Sequence, residues 1–221
     1  MLRKIVDGTH NQETVPSLKK PPFIIDRSIS LVPINDLVYL KVPWKKYAII
    51  GSGKTGLDAI LHLLDLNVNP DRITWIVSND CWYYNRDVYN MENLWDGMER
   101  QFLPILKAID INDVYQKYEA EGIMLRVDKS IWPTKMRSGT ITNEEVNLVR
   151  QIKNVIRKGR IKELNNGSIL FENDVSYAMD TNDTLFVDCT SGSKKESNHE
   201  ISGNPLPIFN GNMINLQLVL L

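Results

Sequence analysis

The sequence is short of cysteine, of net charge and of long apolar runs. Only Cys81 and Cys189 occur among its 221 residues, far apart in the chain. Neither a C-x-x-C redox pair nor a zinc cluster is therefore available, which excludes a dithiol reductase of the usual kind, and no metal site is expected. The formal charge is −1, and with neither a basic patch nor an aromatic-basic motif there is no reason to expect a nucleic acid or an anionic membrane surface as partner. No apolar run reaches membrane-spanning length and no secretory signal is present. Together with the thin use of cysteine, this fits a reducing cytosol, so a cytoplasmic location is the expectation. No internal repeat or low-complexity tract interrupts the chain. His10 stands in a polar turn with no partner in view and reads as solvent-exposed. What remains is ordinary globular material, 43% hydrophobic and 24% charged, enough for one large domain or parts of two.

The most informative stretch runs from Lys46 to Ala59, where strand chemistry turns into helix chemistry across three glycines. Tyr47 to Ile50 is a short apolar, β-favouring run, whereas Leu57, Ile60, Leu61 and Leu64 recur at helical spacing. Gly51, Gly53 and Gly56 are spaced as G-x-G-x-x-G, the dinucleotide fingerprint. In that reading Gly51 permits a tight turn, Gly53 lets the backbone approach a diphosphate, and Gly56 lets helix and strand pack closely. The N–H groups at the helix start then face the anion. Turn residues Asn67 to Asp71 and the β-rich run Arg72 to Val77 complete a β-α-β unit. A phosphate loop is the rival. Ala48 to Thr55 fits a relaxed form of it with the first glycine replaced by alanine, and Leu185 to Asp188 resembles the strand and aspartate that help hold magnesium. Ile49 and Ile50 read as buried in the strand, however, leaving too little free backbone to wrap a triphosphate.

The second strand of the unit ends near Val77-Ser78-Asn79, where no acid stands; Asp80 comes slightly late. NAD-preferring folds usually carry Asp or Glu there for the ribose hydroxyls. Its absence favours NADP over NAD, with Ser78 and Arg86 as candidates at the ribose end. A surface or interdomain salt bridge is the alternative role for Arg86. The pyrophosphate candidates are Gly51, Ser52, Gly53, Lys54, Thr55 and Gly56.

Elsewhere the chain reads as follows. Residues 1 to 45 hold a strand at Leu2 to Asp7 and extended segments broken by prolines. Trp82 to Asp87 is an aromatic cluster in a loop, more a packing wedge than a cofactor contact. Met91, Leu94, Trp95, Met98, Phe102, Ile105 and Leu106 form the stripe of a long amphipathic helix interrupted around Pro104, a stripe that is core or interface. Residues 112 to 121 make a more polar helix ended by Gly122, and 123 to 127 a strand. Trp132 to Thr140 reads as an irregular solvated connector, with Lys135 and Arg137 able to bind anions. Thr142 and Glu145 form a capping box, and Asn165-Asn166-Gly167 turns a hairpin. Thr184 to Gly192 is an apolar strand ending in a small-residue turn suited to close approach by a ligand, which makes Thr190 and Gly192 further candidates. Met213 to Leu221 is an apolar strand.

The sequence resembles the two-dinucleotide-fold flavoproteins, oxidoreductases that bind FAD and NAD(P). The likeness rests on Tyr47 to Ala59, Arg72 to Ile76, Trp82 with Asn85-Arg86, Pro133-Thr134, Asp188 to Thr190 and Ile208 to Gly211. It implies an α/β, Rossmann-like FAD/NAD(P)-binding fold with a nicotinamide-nucleotide β-α-β unit, a helical insertion, a β-hairpin and part of a second, FAD-domain-like portion. The implied domains are 1–45, extended and FAD-domain-like; 46–176, NAD(P)-binding; and 177–221, the return into the FAD domain. The chain departs from that family in three ways, the first being that it is expected to halt where the family would continue. Nothing before Lys46 supplies the FAD glycine loop, and the histidine-containing sequence typical of flavin monooxygenases is missing. The expected match is therefore to the central and later part of such a protein.

The resulting expectation is an NAD(P)-binding module, with NADP the preferred nucleotide, that passes hydride to FAD. The flavin rather than a side chain would carry the redox chemistry, and no catalytic residue is nominated. The alternatives are a non-catalytic remnant or interaction module of that fold, and a phosphate-loop nucleotide-triphosphate-binding protein. Its terminal strands are candidates for self-association.

Overall fold

Tyr47, Ala48, Ile49 and Ile50 are buried in succession, the signature of a strand covered on both faces, and the fold is built outward from it. The computed structural model describes residues 5–7, 16–88, 94–190, 209–210 and 213–215. In chain order the first elements are β1 (Ile5–Asp7), β2 (Ile24–Ile25), β3 (Ser30–Pro33), α1 (Ile34–Leu37), β4 (Lys46–Ile50), α2 (Lys54–Asp65) and β5 (Ile73–Ile76). Then come β6 (Cys81–Asn85), α3 (Leu94–Lys107), α4 (Ile111–Ala120), β7 (Met124–Leu125), β8 (Lys135–Ile141), α5 (Asn143–Val149) and β9 (Asn154–Ile156). The last are β10 (Ile161–Asn165), β11 (Ser168–Phe171), β12 (Ser176–Ala178), β13 (Thr184–Asp188), β14 (Phe209–Asn210) and β15 (Met213–Asn215).

The central sheet has the order β3-β13-β4-β5-β9, and every pairing in it is parallel. Because side chains alternate along a strand, its two faces make two cores. On one, Tyr47, Ile49, Trp75, Leu185 and Val187 meet Leu57, Ile60 and Leu63 of α2 and Val146 and Val149 of α5. On the other, Ala48, Ile50, Ile76 and Phe186 meet Phe23, Leu164, Ile169 and Phe171, which come with a second sheet of order β12-β11-β10-β2. Helices, parallel sheet and small sheet thus form three layers, a mixed α/β architecture consistent with a Rossmann-like fold. β1, β15 and β14 make a separate three-stranded sheet.

β3 and β13, from the segments outside 46–176, flank β4 in the central sheet, a pairing between residues so far apart that it leaves no local trace in composition. β1 pairs with β15 inside the chain, Ile5 opposite Met213. Several expectations need correction. Trp82 to Asn85 is strand, not loop, and Lys135 to Ile141 is strand, not a solvated connector. α3 runs through Pro104 without ending, at the loss of one helical hydrogen bond. The hairpin at Asn165-Asn166-Gly167 and the Thr142/Glu145 capping box are present, with Gly167 in the left-handed region.

The insertion between β5 and α5 carries a small sheet of order β7-β6-β8. Its core joins Trp82, Tyr118, Ile123 and Met124. Trp82 stacks on Tyr115 at 5.3 Å and meets Trp132 edge-on at 5.1 Å, while the Arg126 guanidinium lies over both indoles. The aromatic cluster is therefore a packing device. α3 is inverted relative to an ordinary amphipathic helix: Gly97 and Pro104 are buried, while Trp95, Phe102 and Leu106 are exposed. Among the described residues nothing covers that stripe, so it is not core. No described helix is long and apolar enough to cross a membrane.

Candidate functional site

Open α/β sheets bind ligands at the carboxyl ends of strands where the chain order reverses. Here the chain steps from β4 through α2 to β5 and on to β9, then returns to the opposite side of β4 as β13. The reversal lies between β4 and β13, and the residues at their carboxyl ends are Gly51 and Cys189. The ladder continues past the strand ends, with the Cys189 N–H donating to Ile50 O at 2.9 Å.

Three residues, Gly51 to Gly53, separate β4 from α2, and each glycine of the motif has a different reason to be glycine. Gly51 has φ +121°, and a Cβ there would stand 3.0 Å from Cys189 O. A Cβ on Gly56 would overlap the carbonyl oxygen of Gly51, so α2 is pressed onto the turn it leaves. Gly53 differs from both. Its backbone is ordinary and extended, φ −79° and ψ 177°, and a Cβ there would have nothing within 4 Å. Neither conformation nor packing within the described residues calls for glycine at 53. The hydrogen atom leaves an open space against the start of α2.

That helix start is not closed from within. Gly53 is its N-cap and makes no side-chain cap bond. The N–H groups of Gly56 and Leu57 turn back to Gly53 O at 3.0 and 3.2 Å, whereas those of Gly53, Lys54 and Thr55 have no acceptor among the described residues. Unpaired donors and the positive end of the helix dipole thus meet beside the open space.

The other nominated side chains divide. Ser52 is buried, its hydroxyl donating to Asn79 O at 2.6 Å and its carbonyl oxygen accepting from the Tyr83 hydroxyl; what it can offer a ligand is main chain. Lys54 is ion-paired with Asp58. The Ser52–Asn79 bond draws the end of β5, with half-buried Ser78, against the glycine turn. Arg86 donates to Thr140 O at 3.2 Å and to Glu145 at 3.3 Å, the salt-bridge role open to it from the sequence. Thr190 gives its N–H and hydroxyl to Asp188 Oδ1 at 2.9 and 2.6 Å, which shapes the turn after β13 next to Gly51. Gly192 lies outside the described residues.

Sequence reasoning missed a charge cluster at the end of β5. Arg157, after β9, bonds Asp80 through Nε at 3.0 and 3.3 Å and Asp128 through Nη2 at 3.1 Å. The carboxylate nearest in sequence to the ribose-binding position is therefore engaged by a cation from another strand. Ser130 hydrogen bonds, more than the neighbouring arginines, hold the Asp128 carboxyl below its usual range. Burial, followed by the charges of Asp188 and Asp58, pushes the Cys189 thiol far up, which leaves it inert. No group of three or more His, Cys, Asp or Glu suited to a metal occurs among the described residues.

No family model matches the chain. It is 28% identical over 222 residues to uncharacterized proteins of Mycobacterium tuberculosis and Mycobacterium bovis, an alignment that covers 98% of this chain and 40% of each relative. The chain thus spans about two fifths of the length of the curated relatives it matches. Among solved structures, a 2-naphthoyl-CoA reductase in complex with 2-naphthoyl-CoA aligns at a TM-score of 0.33 and 10% identity, covering 96% of this chain and 23% of that one. A likeness of that size carries no argument, and the functional reading rests on the site.

Proposed function

We propose that this chain binds a nicotinamide dinucleotide at the β4–α2 turn, as the NAD(P)-binding part of a flavin-dependent oxidoreductase. The observation that carries the reading is Gly53: a glycine without a conformational or packing cause, beside unpaired N–H groups, at the reversal of strand order. Such a site offers main-chain donors and dipole to a diphosphate without requiring a side chain to move. The three-residue turn supports this over a phosphate loop, which needs more free backbone to wrap a triphosphate.

The residues present fit the nucleotide as follows. Gly53, Lys54 and Thr55 donate main-chain N–H groups to the diphosphate, Ser78 lies toward the ribose, and Thr190 borders the far side of the turn. Engagement of Asp80 by Arg157 removes a carboxylate acceptor for the ribose hydroxyls, which favours NADP over NAD. Bound NAD(P)H would supply hydride and FAD would accept it. One glycine, Gly8, precedes Gly51 in this chain, so a second glycine loop for FAD is not found ahead of the first. A module that retains the fold without turnover is the second reading.

Calorimetric titration with NADPH and NADH tests the binding claim. NADPH binds the unaltered chain, and Gly53→Val abolishes that binding while leaving the thermal midpoint in place. Absence of heat with both nucleotides at millimolar concentration overturns the proposal. Adding FAD and NADPH together then separates the two readings: bleaching of the flavin band supports hydride transfer, and an unchanged spectrum favours the module without turnover.

A further inference from the structure

Two consecutive carbonyl groups of the glycine turn are tied inward, each to an aromatic side chain of a different strand. The Trp75 indole N–H, from β5, donates to Gly51 O at 2.9 Å, and the Tyr83 hydroxyl, from β6, donates to Ser52 O. Both rings are buried. The Ser52 hydroxyl is turned inward as well, toward Asn79 O. β6 is the middle strand of the insertion's sheet, and Tyr83 stands where its ladder with β8 shifts register. Trp82 pairs with Met136 and Tyr84 with Thr140, so one residue of β6 answers three of β8, a bulge in the second strand.

Peptide geometry carries these bonds to the opposite side of the turn. In a trans peptide the C=O and the N–H that follows it point in opposite directions, so the carbonyl that Tyr83 holds keeps the Gly53 N–H facing away from Tyr83. That N–H is the first of the donors at the start of α2 with no acceptor among the described residues. Glycine at 53 makes the orientation insecure. Rotation of the Ser52–Gly53 peptide would turn its carbonyl oxygen outward and carry Gly53 from its extended backbone to positive φ, which glycine reaches without steric cost. A diphosphate would then meet an oxygen in place of a donor. The missing side chain that opens the space at Gly53 thus also loosens the peptide before it, and the restraint has to come from elsewhere. Resting on the dinucleotide reading above, we propose that Tyr83 supplies it: a positioning residue whose hydroxyl holds the Ser52–Gly53 peptide with its N–H toward the diphosphate. The insertion then acts on nucleotide binding through the turn.

The test compares the full chain with its Tyr83→Phe and Tyr118→Phe variants. Each removes a hydroxyl that a buried ring donates to a main-chain carbonyl, in the second case the 3.1 Å bond to Gln101 O. The probes are NADPH and NADH, with thermal midpoints and the Gly53 amide resonance recorded alongside. Tyr83→Phe weakens both nucleotides about tenfold and displaces the Gly53 resonance before any ligand is added. Tyr118→Phe lowers the midpoint as a lost structural bond does, yet it binds as the unaltered chain does and leaves the Gly53 resonance in place. Equal affinity of the two variants overturns the inference. Should Tyr83→Phe unfold, the unaltered chain decides: its Gly53 resonance shifts as NADPH binds, and a resonance that stays in place overturns the inference. If Gly53→Val still abolishes binding when the inference fails, the dinucleotide reading stands without Tyr83; if the unaltered chain binds neither nucleotide, both fall.

Discussion

The β4–α2 crossover and the α3 helix both leave something unfilled, in opposite ways. At the crossover the backbone is fixed from every side: Gly51 lies against Cys189, Gly56 against Gly51, and the Trp75 indole N–H donates to Gly51 O at 2.9 Å. The one gap is beside Gly53, where a side chain is missing although the main chain is held. In α3 the side chains are present and their surroundings are missing, with Trp95 80% exposed and Phe102 and Leu106 open beside it. A held backbone with a missing side chain suits a small ligand that reads N–H groups. An apolar stripe over buried Gly97 and Pro104 offers no such donors, because its backbone is spent within the helix. The same word, exposure, thus covers two kinds of surface with different chemistry.

Mutation separates these kinds of space, beginning with the tightest. Gly56→Ala should cost about 3 kcal/mol in chemical denaturation, because the added methyl overlaps a carbonyl oxygen in a well-packed turn; a loss below 1 kcal/mol, on the order of a surface change, would show the turn to be looser than described. Alkaline titration probes the same wall from the Cys189 side. Its thiol is raised above an ordinary value of 9.0, so the folded chain keeps the proton that the unfolded chain releases. Stability from this group is intact below pH 9 and falls as pH rises, by about 1.4 kcal/mol per unit. Cys189→Ala should remove that slope, and an identical alkaline profile in the variant would refute the assignment. Gly53→Val, in the open space, should change stability by less than about 0.5 kcal/mol while removing nucleotide binding. The smallest effect belongs to α3. Trp95→Phe should leave stability unchanged yet lower acrylamide quenching, since Trp95 is 80% exposed while Trp44 and Trp132 are half-buried and Trp75 and Trp82 are buried; an unchanged quenching constant in the variant would contradict the exposure of α3.

Where the sequence was legible, the determining contacts were local. The glycine spacing, the strand before it and the helix after it lie within a dozen residues, as do the capping box at Thr142 and the turn at Gly167. β6 and β8 were misread because their cues conflict: Trp82-Tyr83-Tyr84 sits among turn-like polar residues, and Lys135 to Thr140 lacks the alternation of a half-buried strand. Its bulge is one reason, since three of its residues answer to a single partner. The Arg157 link to Asp80 and Asp128, and the membership of β3 and β13 in the central sheet, join segments whose separation no periodicity reports. α3 misled in a different sense. Its stripe has helical spacing, but spacing says which residues share a face, not whether that face turns inward.

The pairing of β13 with β4 has a consequence for the order in which the molecule is made. A ribosome emits the glycine motif well over a hundred residues before Cys189, yet the carbonyl that backs Gly51 belongs to that late residue. Through most of synthesis the motif is an unsupported bend whose closing partner has not yet been translated, and such long-range strand pairing is slow to form. If the turn holds a nucleotide as proposed, competence to do so arrives with the last strand of the central sheet, and a nascent chain halted at residue 176 would carry the whole fingerprint without the wall behind Gly51.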